Sequence, residues 1–282
     1  PAMSKSKVGG SLKKKFKEYE QPWHILKFEP VRNWITETED DIKVFLDTVA
    51  DQNKYLSHVT AILDQCSEEL FGANASEEDR KLMTRLPAKH FRDFEPAGGL
   101  CFILIAALKY KIPKKDFNFE KDLVKTDRSA IRAHASLFLD IEQSLLNAGI
   151  LRRPKVALSP DLDADERAQL RAIVAKHHGV VVSSKEYATH VVIPDIPDDE
   201  AEADYCRTIA VQDKMVQVHW WYFPDSYDEW KSAKEIQGDV PDPEELPSRI
   251  QVYARFVRDL DKFNEWMNEE DYMPTGEEDG EE

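Results

Sequence analysis

The spacing of apolar positions predicts a helical first half of the chain. In "NKYLSHVTAILDQCSEELFG" the apolar residues recur at helical intervals, and the closing glycine is a helix stop. "AGGLCFILIAALKYK" is apolar on nearly every side, which predicts a central buried helix that ends before a proline. "DRSAIRAHASLFLDIEQSLLNAG" has the pattern of a long amphipathic helix closed by Gly149. We therefore expect an all-helical region up to about residue 150.

Beyond this region the apolar runs become short, as is typical of strands. An amphipathic helix with Asp163 as its N-cap separates the first strand from the second. The expected order is strand, helix, strand, strand, and the four segments are "PKVALSP", "DADERAQLRAIVAKHHG", "VVVS" and "YATHVVIP".

The last third of the chain alternates between strand patterns and acidic linkers. We expect strands in "KMVQVHWWYF", in the end of "DSYDEW" and in "RIQVYARFV", followed by an amphipathic helix in "DLDKFNEWMNEEDY". "PDIPDDEAEADY" and "GDVPDPEELPS" read as linkers, so Tyr205 lies in a stretch without a strand pattern.

Charge narrows the choice of partners. The formal net charge is −16, yet the first seventeen residues contain six lysines and no acid. A chain this acidic is a poor general binder of DNA and better suited to basic proteins such as histones. Each charge run also has a simpler interpretation, as a solvated surface or a disordered end.

Cysteine usage and hydropathy indicate the compartment. The three cysteines, Cys66, Cys101 and Cys206, are far apart and form no metal-binding spacing, which favours a reducing compartment such as the cytosol or nucleus. No apolar run reaches the length of a membrane span, and there is no signal peptide. The opening "PAM" looks like a cloning remnant and the acidic end looks like a linker, so we expect a fragment of a longer protein.

No motif for catalysis stands out. The chain has no GxGxxG, P-loop, GxSxG or HExxH pattern. His177 and His178 are adjacent on a helix end and point in different directions, so they cannot share a metal as an i, i+4 pair does. We expect no enzyme activity, no metal and no cofactor.

The strand-helix-strand-strand segment resembles the first part of a BRCT domain. The missing strand and helix are found only in "YARFVRDLDKFNEWMNEEDY", where Phe256 stands at a position that is usually Trp in that family. The domain is therefore expected to be split by an insertion. The resemblance places the phosphate-contacting hydroxyl of such domains at Ser159, although lone BRCT domains are more often protein-docking units.

The insertion contains "VQVHWWYFPDSYDEW", which resembles the core of a chromodomain. The matching residues are Val218, Trp220, Phe223, Pro224 and Trp230, while Tyr222 stands where the family often has Gly. The resemblance implies that Trp220 and Phe223 are two walls of a methyl-lysine cage, with Tyr205 the nearby candidate for the third. Such a cage holds a cation over ring faces. The alternative is that these rings form the core of a small domain.

Three segments together resemble the N-terminal module of the SMARCC family, the scaffold subunits of SWI/SNF-type chromatin remodellers, called Moira in the fly. They are "LPAKHFRDFEPAGGLCFILIAALKYK", "HWWYFPDSYDEW" and "FNEWMNEEDY", and the likeness covers residues 28 to 273. In that family the helical part resembles a MarR-like winged helix. Arg152, Arg153 and Lys155 would then be candidate DNA contacts, or cations that complement a helix C-terminus.

The expected fold is therefore α+β and multidomain: a helical, winged-helix-like (MarR-like) region, then a BRCT α/β domain split by a small chromo-like β insertion. The expected parts are a disordered basic N-terminus (1–27), the MarR-like region (28–152), the BRCT N-terminal part (153–196), the chromo-like insertion with linkers (197–248), the BRCT C-terminal part (249–273) and an acidic tail (274–282).

The resemblance implies a non-catalytic scaffold module in the nucleus that docks other SWI/SNF subunits, histones or nucleosomes. The ATPase would belong to another subunit. Methyl-lysine reading and weak DNA binding by the winged helix stay open as alternatives. The dimer of that family is attributed to a coiled coil that this chain lacks, so we expect a monomer. No membrane partner is expected.

Overall fold

The computed structural model describes residues 19–73, 75–123, 128–195, 205–212, 214–221, 227–234 and 249–274. The expected disordered segment up to residue 18, nearly all of the acidic tail and most of the two linkers lie outside these residues.

The helices and strands follow in chain order. The α-helices are α1 (Pro22–Leu26), α2 (Phe28–Thr38), α3 (Asp40–Leu46), α4 (Gln52–Phe71), α5 (Glu77–Arg80), α6 (Gly99–Lys111), α7 (Phe119–Asp122), α8 (Arg128–Asn147), α9 (Ala164–Lys176) and α10 (Arg255–Phe263). The strands are β1 (Lys155–Leu158), β2 (Val180–Val182), β3 (His190–Ile193), β4 (Tyr205–Gln212), β5 (Met215–Trp221), β6 (Tyr227–Ser232) and β7 (Ile250–Tyr253).

The chain divides into two compact units, and the first is helical in its described residues up to Arg153. Helix α4 begins where the Asp51 carboxylate accepts a hydrogen bond from the Lys54 N–H, and α8 is followed by Gly149 at a φ of +72°. The buried faces of α4, α6 and α8 form the core, in which the rings of Phe71 and Phe138 meet edge to face at 5.5 Å. The predicted long helices are confirmed.

A second stretch, Asp259–Met267, also belongs to the helical unit, although we expected it in the second domain. We call it the return segment. The prediction of one helix through Met267 is wrong, because α10 ends at Phe263 and Asn264 has a φ of +55°. The apolar residues beyond that point have helical spacing, but a left-handed residue ends the helical repeat.

Asn264 attaches the return segment to the helical unit. Its side-chain amide, buried with the rest of the residue, donates to the carbonyls of Phe71 (2.9 Å) and Met83 (3.0 Å). Its own carbonyl accepts a hydrogen bond from the Arg85 N–H at 2.7 Å. Arg80 also donates to the carbonyls of Asp261 and Lys262. The segment therefore satisfies carbonyl groups at the end of α4 and beyond it.

The neighbouring Glu265 belongs to an ion cluster around the buried guanidinium of Arg85. One guanidinium nitrogen of Arg85 lies 2.6 Å from Glu265, while the other lies 2.8 Å from Glu68 and 3.7 Å from Asp64. The second carboxylate oxygen of Glu265 accepts from the Ala88 N–H. Burial raises the pKa of Glu265 even though Arg85 and Ala88 oppose the shift. The buried Arg85 guanidinium thus forms ion pairs with three carboxylates.

The folded part begins before the expected boundary at residue 28. Tyr19 and His24 are buried, and His24 lies among the rings of Tyr19 (4.5 Å), Phe94 (5.5 Å) and Phe28 (5.7 Å). Burial lowers the pKa of His24 to about 4, and the charges of Lys27 and Arg92 add to the shift. The imidazole is therefore neutral at neutral pH.

His24 is expected to weaken the fold in mild acid. The unfolded chain takes up a proton near pH 6.5 and the folded chain only near pH 4, so stability falls as the pH drops between these values. At about 1.4 kcal/mol per pH unit, the loss at pH 5 is on the order of 2 kcal/mol. Urea unfolding at pH 7 and pH 5 should show a smaller loss for His24→Phe. An equal loss in both proteins would contradict this assignment.

The second unit contains a four-stranded parallel sheet in the order β2-β1-β3-β7. The register pairs Val156 with Val181 and Val192 with Val252. Helix α9 makes the crossover from β1 to β2, as the sequence predicts. The ring of Phe256, fully buried, stacks on His190 at 5.6 Å. The predicted strands β1, β2 and β3 are confirmed, whereas the strand predicted through Val257 ends at Tyr253.

An antiparallel sheet, β4-β5-β6, lies in the insertion. Strands β5 and β6 are predicted correctly. The prediction that Tyr205 lies in a linker is wrong, since Tyr205 begins β4. The acidic residues before Tyr205 made the segment look like a linker. "YCRTIAVQ" itself has enough β-branched and apolar residues to form a strand, and it pairs with β5.

The fold is thus mixed helix and sheet, in agreement with the expected α+β class. Of the helices that the structure describes, none combines the length and the apolar character that crossing a bilayer requires.

Candidate functional site

Two of the three predicted cage residues, Tyr205 and Trp220, lie in the antiparallel sheet. The register pairs Tyr205 with Trp221 and Cys206 with Trp220, so Tyr205 is next to the pair that contains Trp220. Phe223 lies outside the described residues. The cage therefore stays a prediction. Trp230 pairs with Gln217 and is half-buried.

Ser159 is buried directly after β1. Its hydroxyl donates to the Asp161 carboxylate at 2.9 Å and accepts from the Asp161 N–H at 3.3 Å, while its own N–H donates to the Val192 carbonyl. This is a local turn in which a short polar side chain caps the backbone. A phosphate on this hydroxyl would meet the Asp161 carboxylate, and like charges repel. Phosphate contact by Ser159 stays a prediction.

The three predicted DNA contacts fall in both units. Arg152 donates to the Gly149 carbonyl, and Arg153 lies 4.0 Å from Glu142, both near the C-terminal end of α8. Cations are favourable at such an end. Lys155 is exposed in β1 and belongs to the second unit. DNA contact by these residues stays a prediction.

An open groove lies over α6 in the helical unit, and sequence reasoning missed it. It has a volume of about 640 Å³. Helices α2 and α8 both pack against α6 and form the two walls. The lining residues are Trp34, Thr38, Glu39, Phe102, Ile105, Ala106, Lys109, Tyr110, Asp140, Gln143, Ser144, Asn147 and Ala148.

The floor of the groove is apolar. Phe102, Ala106 and Tyr110 recur at four-residue intervals along α6 and remain half-buried. The Trp34 ring from α2 packs on Phe102 at 5.4 Å between centroids. The sequence pattern had indicated that α6 is apolar nearly all round, and a helix of this kind needs cover on every side. The neighbouring helices leave this stripe without full cover.

The wall formed by α8 is polar. Asp140, Gln143, Ser144 and Asn147 face the groove at helical intervals. Gln143 donates to the Asn147 side-chain oxygen at 2.7 Å, and Ser144 donates to the Phe102 carbonyl at 3.2 Å. Within the described part of the chain, the Asp140 carboxylate has neither an ion-pair nor a hydrogen-bond partner. One wall thus offers hydrogen-bonding groups and a free negative charge.

A neutralised ion pair connects the α6 floor with Glu39, directly after the opposite wall α2. The Lys109 ammonium lies 2.7 Å from the Glu39 carboxylate. At the far end of the stripe, the Lys114 ammonium lies over the ring of Tyr110. The groove therefore combines an apolar floor, one free carboxylate and a cationic end. Such a surface is suited to binding a protein segment.

One comparison with known protein families gives a match. The model described as "SWIRM-associated domain at the N-terminal" matches residues 6–151, a little over half of the chain. Every lining residue of the groove lies within the matched range.

Proposed function

The chain belongs to the family of the SWIRM-associated domain at the N-terminal, and we propose that it is a non-catalytic scaffold module of a SWI/SNF-type remodelling complex. Membership in this family indicates a subunit of a chromatin-remodelling complex, and hence a nuclear protein. The proposal adds the role: this module docks other subunits, histones or nucleosomes and leaves ATP hydrolysis to another subunit.

The observation that carries the proposal is the groove over α6, because it lies wholly inside the residues that define the family. A half-exposed aromatic floor with a hydrogen-bonding wall is typical of a surface that another protein covers. The net charge of −16 supports basic protein partners over nucleic acid. We therefore propose weak or absent DNA binding. A monomeric chain is proposed on the resemblance to the SMARCC family alone.

Binding to purified subunits tests this role. The chain, mixed with each recombinant subunit of a SWI/SNF-type complex and with nucleosomes, is expected to form a stable complex with at least one of them in size-exclusion chromatography. The chain alone is expected to hydrolyse no ATP. If the chain binds no subunit and no nucleosome, the proposed docking role is wrong. If the chain hydrolyses ATP, the proposal that it is non-catalytic is wrong.

Methyl-lysine reading is a second candidate, because Tyr205 and Trp220 lie on the paired strands β4 and β5. The register sets Tyr205 opposite Trp221, and successive strand positions alternate between the two faces, so a cage formed with Trp220 requires a local departure from that alternation. Histone-tail peptides, unmodified and trimethylated, can be titrated while tryptophan fluorescence is recorded. Saturable quenching that needs the methyl groups and is lost in a folded Trp220→Ala variant would favour the reader. Equal responses to both peptides would exclude it.

A further inference from the structure

The groove over α6 has features that specify the kind of segment it binds. We infer that its occupant is an amphipathic helix of a partner protein, with an apolar face on the α6 stripe and a Lys or Arg beside Asp140. The inference rests on the proposed docking role and adds to it the chemistry of the partner.

The apolar part of the occupant follows from the floor. Trp34, Phe102 and Tyr110 are partly exposed residues that line the groove, and Ile105 in the same lining is buried. Aromatic side chains at the centre of a recessed surface are the residue types that contribute most to protein–protein binding. An occupant must therefore supply apolar side chains to cover them.

The helical form of the occupant follows from the walls. Helices α2, α6 and α8 use their backbone N–H and C=O groups in their own hydrogen bonds, so the groove offers no strand edge. An extended peptide would leave its own backbone groups unpaired here, whereas a helix satisfies them internally. The stripe from Phe102 to Tyr110 is about 12 Å long, which accommodates two turns of a helix.

The basic residue of the occupant follows from the charges. Asp140 has no ion-pair partner among the residues that the structure describes, while Lys109 is already paired with Glu39. A cation beside Asp140 gains an unopposed partner. At the Tyr110 end of the groove, the Lys114 ammonium repels any basic residue of the guest helix. The basic residue of the guest is therefore favoured beside Asp140 and disfavoured at the Tyr110 end. This asymmetry sets the direction in which the guest lies.

A fluorescein-labelled model helix of leucine and lysine, about fourteen residues long with its leucines on one face, is the probe. We expect it to bind the full chain saturably and one to one in fluorescence anisotropy. Ala106→Glu places a charge on the apolar floor and is expected to weaken binding about tenfold or more. Val44→Glu, at an exposed apolar residue outside the groove, is the matched control and is expected to leave the affinity unchanged.

The two glutamate variants separate docking from simple attraction. Each adds one negative charge, so attraction of a basic peptide to an acidic protein would become stronger in both. Loss in Ala106→Glu alone supports the groove, provided that circular dichroism shows the variant folded. Equal or tighter binding in Ala106→Glu would overturn the inference. Asp140→Asn is expected to weaken binding several-fold at low salt, and no change there would overturn the basic contact.

Other occupants give different results. If the chain self-associates and Ala106→Glu abolishes this, the occupant of the groove is a second copy of the chain and not a partner helix. If the probe binds more tightly after the first eighteen residues are removed, the occupant is the chain's own lysine-rich start. If the probe fails but a SWI/SNF subunit still binds the chain, the docking role stands and the groove is not its site. If both fail, the proposed function fails as well.

Discussion

Replacing Arg85 by Leu is expected to lower the free energy of unfolding by about 3 to 5 kcal/mol. The guanidinium is only 10% exposed and is the cation among Asp64, Glu68 and Glu265. Its removal takes the cation away from the buried carboxylates of Asp64 and Glu265, and repulsion among the three carboxylates adds to the loss. Urea unfolding followed by circular dichroism measures the change.

Lys43→Leu is the matched control for that variant. Lys43 forms a short ion pair with Asp47, at 3.0 Å, but both side chains are more than half exposed. A surface pair of this type contributes about 0.5 kcal/mol or less, since water and salt screen it. A second replacement, Glu265→Leu in the Arg85→Leu background, should recover part of the loss. Equal effects of Arg85→Leu and Lys43→Leu would contradict a buried cluster.

Asn264→Ala is expected to cost about 3 kcal/mol, the second large effect. The substitution leaves the buried carbonyls of Phe71 and Met83 without their donor, which costs about 1 to 3 kcal/mol. It also places a β-carbon without a local hydrogen bond at a φ of +55°, which adds about 1 kcal/mol. The midpoint of urea unfolding again gives the size of the effect.

Asn264→Gly separates the two causes. Glycine removes the same hydrogen bonds but adopts a positive φ without strain. It is therefore expected to be more stable than Asn264→Ala by about 1 kcal/mol, while both are less stable than the wild type. An alanine variant as stable as the wild type would contradict the stabilising role of the Asn264 hydrogen bonds.

The sequence predicted elements whose pattern is local. Helix α8 and strands β1 to β3 have regular apolar spacing and clear stop signals. Their secondary structure can therefore be predicted without knowing what packs against them. Strand β4 was missed because the acidic residues before Tyr205 made the segment look like a linker, and its pairing with β5 is not visible in the sequence. The end of α10 at Phe263 depends on the left-handed Asn264, and that conformation depends on carbonyls that lie far away in sequence.

The candidate site was less accessible to sequence reasoning than the fold. That α6 is apolar all round could be read directly, but which of its faces stays open depends on the packing of α2 and α8. Ser159 could be placed at the end of β1 from the pattern, but its hydrogen bond to Asp161 could not. Resemblance to known families indicated the context of the protein without indicating the groove.

The return segment has a consequence for the order of events during synthesis on the ribosome. Arg85 and Glu265 are 180 residues apart in sequence. The helical unit therefore cannot complete its fold until most of the chain has been translated. Until Asn264 has been translated, the carbonyls of Phe71 and Met83 lack the side-chain amide from which they accept hydrogen bonds. A nascent chain that stalls inside the second unit therefore exposes an unfinished helical surface, which chaperones and proteases can distinguish from the completed protein.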